Sequence, residues 1–226
     1  NEVFSGGLNP NVEMKDSKIE WLGKIPSHWN VSKLKYIADA NQENLTDSTD
    51  SNFELDYIEI SDVNEVGLIK KPTTYLFGDS PSRCRRICRE GDVIISTVRT
   101  YLKSIGVIEE QRDDLICSTG FCVLTPKPDF LSKFLFYMIR SDWFISKVIS
   151  KSNGVSYPSI KLNKLLSTEV VTMDKAEQQQ IVDFLDKETK IIDQTIEVEI
   201  KRSKLFKEYK ESFITELVTG KKKVIT

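Results

Sequence analysis

The C-terminal run constrains this chain most. From Ala176 to Val218 it reads AEQQQIVDFLDKETKIIDQTIEVEIKRSKLFKEYKESFITELV, free of proline and glycine, with apolar side chains recurring at three- and four-residue spacing. That periodicity predicts a single α-helix of about 65 Å at the helical rise per residue. Ile181, Leu185, Ile192, Ile196 and Ile200 mark one face, continued by Phe206, Tyr209, Phe213 and Leu217. A helix this long outruns the core of an ordinary domain, so its stripe needs a partner helix. Glu188 and Glu199 fall where a strict heptad wants apolar groups, which predicts a pairing surface, coiled-coil-like, and no long regular zipper. Gly220, followed by Lys221 to Lys223, is the expected stop, with basic groups at the negative end of the macrodipole.

Charge along this segment is polarised. From Asp174 to Ile200 stand eight acids (Asp174, Glu177, Asp183, Asp186, Glu188, Asp193, Glu197, Glu199) against three bases (Lys175, Lys187, Lys190). From Lys201 to Lys223 the balance reverses, with eight bases against the three acids Glu208, Glu211 and Glu216. An antiparallel partner of the same sequence would oppose acid to base, whereas a parallel, in-register pair would align like charges. A two-fold dimer is one solution. Folding back on its own domain, or pairing with a helix outside this chain, are the others.

The rest reads as α+β. Residues 1–18 are expected to be an extended lead-in, 19–174 a domain, and 175–226 the long helix. Trp21, Leu22, Ile25 and Trp29 surround Gly23 and Pro26 as a packing clasp, with a short helix or strand near Leu34–Ala38 and a polar loop at 41–52. LDYIEISDV, GDVIISTV, SIGVIE and GFCVLTP read as short strands separated by turns, which predicts a curved, partly antiparallel β-sheet. Phe130, Phe134, Tyr137, Met138 and Phe144 recur at helical spacing, so one or two helices pack on that sheet. Asn153-Gly154 and Pro158 then interrupt, and TEVVTM leads as a strand into the long helix.

Several chemistries lack a signal. Neither a G-x-G-x-x-G nor a G-x-x-x-x-G-K-[ST] run is present, and the single His28 sits in the clasp, where a structural role is expected. Cys84, Cys88, Cys117 and Cys122 fall as C-x3-C and C-x4-C, a poor match to zinc spacing, and are expected as buried, reduced thiols. Glu199-Ile200-Lys201 lies on the long helix, where it cannot join Pro128-Asp129 around a nuclease metal. No apolar run reaches the roughly 20 residues of a membrane span, and no signal peptide opens the chain, so a cytoplasmic chain without catalytic activity is expected.

What remains is binding chemistry. PSRCRRICREGD holds Arg83, Arg85, Arg86 and Arg89; STVRTYLKS holds Ser96, Thr97, Arg99, Thr100, Tyr101 and Lys103; SKSNGVSYPS holds Lys151, Asn153 and Tyr157. These are the donors and aromatics of a double-stranded DNA reader, in which Arg bridges guanine, Asn bridges adenine, and Ser or Lys holds phosphate. A net charge of −2 makes the chain no general polycation. The rival expectation is a scaffold that joins partners through the helix and reads no DNA.

MKDSKIEWLGKIPSHWNVSKLKYI resembles the opening of a target recognition domain in the specificity subunits of type I restriction-modification systems. GDVIISTVR, NGVSYPSI, EQQQIVDFLD and ITELVTGKKKV resemble its later landmarks in order, although TMDKAEQ stands where the family often has a Pro-rich entry. The resemblance implies a non-catalytic subunit reading one half of a bipartite site, with long helices that set spacing and dock methyltransferase subunits. It places S-adenosylmethionine in those subunits and ATP and Mg2+ in the restriction subunit, with no cofactor in this chain. The lead-in GLNPNVEMKDS resembles the junction before a second recognition domain, so the chain is expected to be one specificity half that pairs with another, as a homodimer or otherwise.

Overall fold

The computed structural model describes residues 2–19, 22–154 and 157–222. Two units separate, Asn1–Val182 and Asp183–Thr226. In chain order the strands are β1 (Met14–Asp16), β2 (Lys24–Pro26), β3 (Asn30–Lys33), β4 (Ala38–Ala40), β5 (Glu54–Ile58), β6 (Thr73–Leu76), β7 (Cys84–Ile87), β8 (Val93–Ser96), β9 (Ile105–Val107), β10 (Leu115–Ser118), β11 (Phe121–Pro126) and β12 (Glu169–Thr172). The helices are α1 (Val3–Gly6), α2 (Leu34–Ile37), α3 (Ser132–Arg140), α4 (Asp142–Lys151), α5 (Leu162–Leu166) and α6 (Lys175–Val218).

Two four-stranded sheets carry the first unit, in the orders β6–β5–β10–β7 and β4–β11–β8–β9. The second is antiparallel throughout, whereas β5 and β10 of the first run parallel. Side-chain alternation explains how they stack. Leu55 and Tyr57 of β5 join Cys84 and Ile116 in one cluster. Ile58 joins Leu115, Cys117, Ile94, Phe121 and Val123 in another, which therefore links β5 and β10 to β8 and β11 of the second sheet. Every residue of β8, Val-Ile-Ile-Ser, is buried, as expected of an inner strand covered on both faces. α3 packs beside β8, β9 and β11 and buries Phe134, Leu135, Met138 and Ile139.

The lead-in is extended only in part. Val3–Gly6 forms a helical turn whose Phe4 ring lies 5.8 Å from Phe134, and Met14–Asp16 pairs with β2. Burial of Phe4 is the physical reason that this segment is ordered against the domain. Trp29 and Ile25 of the clasp are fully buried; Trp21 lies outside the described residues.

α6 starts on an Asp cap, with the Glu177 N–H donating to Asp174 Oδ1 at 2.8 Å. Its first turns belong to the domain. Gln178 is completely buried: its Oε1 accepts from the Leu131 N–H, and its Nε2 donates to the Asp129 and Met173 carbonyls, all at 3.0–3.1 Å. Ile181 is likewise 0% exposed. This corrects its assignment to the pairing face, because the domain core already uses that side chain.

From Asp183 to Val218 the second unit is helix. Ile192, Ile196, Ile200 and Phe206 are exposed, as are Ile191, Val198, Leu205 and Tyr209, so the apolar cover is wider than one stripe. Leu185, Phe213 and Leu217 are partly shielded; Lys222 Nζ lies 4.6 Å from the Phe213 ring centroid. Gly220 adopts φ +71°, the left-handed conformation that ends a helix. No helix among the described residues is long and apolar enough to cross a membrane.

Candidate nucleic-acid interface

The turn between β10 and β11 holds two of the three predicted loop segments, and the second of these holds the third. The Thr119 N–H donates to the Arg83 carbonyl at 2.8 Å. The Gly120 carbonyl accepts from both the Thr97 N–H and the Thr97 hydroxyl, each at 2.8 Å. Thr97 then connects onward, its carbonyl accepting from the Ile160 N–H at 2.9 Å, while the Arg99 N–H donates to Pro158 O at 2.7 Å. Asn153 and Ser159 exchange two backbone hydrogen bonds of 2.9 Å, and the Thr100 and Ser152 hydroxyls meet at 3.2 Å. Segments far apart in sequence are thus bonded to one another. A Cβ at Gly120 would stand 2.5 Å from Ile60 Cδ1, so a larger residue there displaces the end of that side chain.

Within this frame the side chains divide. Arg83 is exposed, and Asn153 and Tyr157 are exposed beyond it in the third segment, Tyr157 by 62%. The Arg99 guanidinium lies 4.4 Å from the Tyr157 ring centroid, a cation–π stack. Tyr101 is 49% exposed on the 3-10 turn Thr100–Leu102. Arg99 (φ +50°) and Lys103 (φ +53°) flank that turn, both in the left-handed region that non-glycine residues rarely occupy. Such conformations concentrate where a protein holds side chains for binding. Lys103 is steadied by Asp142 at 2.8 Å.

Other predicted contacts are turned inward. Ser96 is buried and donates to Val98 O at 2.6 Å, and Thr97 is engaged by Gly120, so these hydroxyls shape the loop instead of facing solvent. Arg86 is partly buried, donating to Phe121 O at 3.1 Å and Asn44 Oδ1 at 3.0 Å. Arg85 lies 4.8 Å over the Phe77 ring and 3.5 Å from Asp47. Arg89 is claimed by Glu43 and Asp113. Lys151 is drawn in to donate to Thr168 Oγ1 at 3.1 Å, and burial lowers its pKa.

Sequence reasoning missed the residues that set this frame. Asn41, at φ +52°, accepts from the Val123 N–H at 2.9 Å, and Asn44 positions Arg86. Both stand in the stretch read as a polar loop; asparagine's tolerance of left-handed backbone was the available signal. The four cysteines are free and buried. Burial pushes the Cys84 thiol up to about 11 and the Cys122 thiol up to about 12. His28 Nε2 meets Glu177 Oε2 at 2.9 Å, a link between the clasp and the start of α6. Among the described residues no three His, Cys, Asp or Glu side chains are grouped to hold a metal ion.

Comparison with known proteins shows the family. The specificity subunit of the type I restriction enzyme MjaVIII of Methanocaldococcus jannaschii is 24% identical over 231 residues, 99% of this chain and 52% of that protein. The HindI specificity subunit of Haemophilus influenzae is 28% identical over 112 residues, 47% of this chain and 24% of that protein. The chain therefore spans about half the length of the M. jannaschii relative. Among solved structures, the HsdS subunit of Thermoanaerobacter tengcongensis superposes with a TM-score of 0.68 at 31% identity, covering 75% of this chain and 44% of that one. A chain solved in work on complex assembly and conformational transition of the type I R-M system superposes at 0.76 with 28% identity, covering 84% and 50%. The family profile described as type I restriction modification DNA specificity domain matches residues 26–202, and the chain belongs to that family.

Proposed function

We propose that this chain reads one half of a bipartite site in double-stranded DNA, without catalysis, and docks the methyltransferase subunits of a type I restriction-modification complex. The observation that supports this reading is a chain of main-chain bonds: the β10–β11 turn holds the Arg83 and Thr97 segments, and Thr97 and Arg99 in turn hold Pro158 and Ile160, so the segments carrying Arg83, Arg99, Tyr101, Asn153 and Tyr157 are linked. Arg and Asn there supply direct base readout, and the aromatic rings supply stacking or apolar contact. Residues 19–174 form the recognition domain behind the lead-in 1–18, and residues 175–226 act as spacer and docking helix. The chain works in the cytoplasm and needs no cofactor of its own. S-adenosylmethionine belongs to the methyltransferase partner; ATP and Mg2+ belong to the restriction subunit.

The half-exposed or more Ile192, Ile196, Ile200 and Phe206 support pairing of α6 with a second specificity half, and the acid-then-base polarity supports an antiparallel copy of itself. Solution mass separates dimer from monomer. The same exposed face favours a second reading, a helix scaffold that reads no DNA. Selection from random duplex DNA with the methyltransferase subunit present decides between them: an enriched half-site supports the reader, and no enriched motif leaves the scaffold.

A further inference from the structure

Away from the loops just described, four lysines from three elements gather without a matching set of carboxylates. Lys147 and Lys151 stand one turn apart on α4, the Lys164 ammonium of α5 donates to the Lys151 carbonyl at 3.4 Å, and Lys33 ends β3. Glu169, opposite Lys33 in the β3–β12 register, is the acid of the group. Burial acts most strongly on the Lys151 ammonium; Glu169 opposes that shift, and Lys147, Lys33 and Lys164 bear on it as like charges. Like charges held together in this way raise the free energy of the unliganded surface, and a neutralising polyanion relieves it.

The placement indicates which polyanion. Lys151 closes α4; the next residue, Ser152, meets Thr100 at 3.2 Å, and Asn153 follows. The cluster therefore abuts the base-reading loops. Lys33 and Lys164 are exposed and Lys147 partly so, whereas Lys151 is committed to Thr168. Lysine is a flexible point charge without the planar fork of arginine, which suits phosphates of any sequence better than base edges.

We infer that Lys33, Lys147 and Lys164 form a phosphate rail that carries the duplex past the reading loops, with Lys151 as the inward post that positions it. This rests on the proposed DNA-reading function and adds a sequence-independent contact to it. The test is the salt dependence of full-length protein binding to two labelled duplexes, one containing the selected half-site and one of random sequence. Replacing Lys33, Lys147 and Lys164 by Gln is expected to flatten the slope of log K against log salt by about 2.7 on both duplexes. The affinity lost between 50 and 200 mM salt would then shrink ~40-fold, with the ratio of specific to random binding unchanged. The double variant K33Q/K164Q, confined to exposed side chains, should flatten the slope by about 2 and guards against misfolding. Unchanged slopes in both variants overturn the rail; if binding of the methyltransferase subunit falls instead, the surface takes an acidic protein. A flattened slope on random duplex from a chain that selects no motif upholds the rail while removing the reading function.

Discussion

Gln178 offers the sharpest test of how the long helix is seated. Its side chain is fully buried and makes three hydrogen bonds, to Leu131 N–H and to the Asp129 and Met173 carbonyls. Gln178→Leu keeps the volume roughly and removes all three. With a net contribution of about 1 kcal/mol per bond, the domain should lose about 3 kcal/mol. At a urea dependence of ~2 kcal/mol per molar, the unfolding midpoint should fall by ~1.5 M. Trp29 and Trp143, both buried, report the transition by fluorescence. A fall below ~0.5 M with an unchanged slope would mean that the three backbone groups find other partners, and the seating argument would fail.

Arg99→Ala and Asn153→Ala should each weaken binding to the selected half-site by ~10-fold or more, with little effect on random duplex, because base contacts carry the discrimination. Equal losses on both duplexes would reduce these residues to phosphate contacts. Arg112 donates to Asp114 at 2.8–2.9 Å and to Asp56 at 2.6 Å, and its hydrogen bonds hold the Asp114 carboxyl below its ordinary pKa. A depressed acid stabilises the fold above its unfolded pKa and loses that contribution as pH falls through the folded value. Arg112→Ala should therefore cost about 1 kcal/mol near neutrality after solvent screening, and the difference from wild type should narrow in acid; a pH-independent difference in urea unfolding refutes the pairing. The four buried thiols, with Cys84 pushed up to about 11 and Cys122 up to about 12, should resist alkylation at pH 8 until urea unfolds the domain. Rapid labelling of native protein would contradict that burial.

Much of this architecture is local in origin and could be read from sequence. The Val93–Ser96 strand announces itself by β-branched residues behind a Gly-Asp turn, and α6 by its period and its Asp174 cap. The parallel pairing of β5 with β10 could not be read, because Asp56 meets Leu115 across a long stretch of chain that leaves no periodic trace. The candidate interface shows the same split. Arg83 and Tyr157 belong to a composition that any DNA reader favours, and they are exposed. Ser96 has the same chemistry as an exposed serine, yet it ends a buried strand and its hydroxyl bonds to the Val98 main chain. Ile181 fits the helical stripe equally well, yet the domain core takes it first.

The loops that meet at the β10–β11 turn are tied together chiefly by main-chain groups: Arg83 O, Gly120 O, Thr97 O and Pro158 O accept, and Thr119, Thr97, Ile160 and Arg99 N–H donate. Main-chain bonds do not depend on which side chain a residue carries. The exposed side chains at 83, 101, 153 and 157 can therefore be exchanged without touching those bonds, in a way that the buried strands cannot. Under the proposed reading function, such a chain can acquire a new target by substitution at a few surface positions while its assembly instructions stay untouched, so recognition and folding are separately heritable.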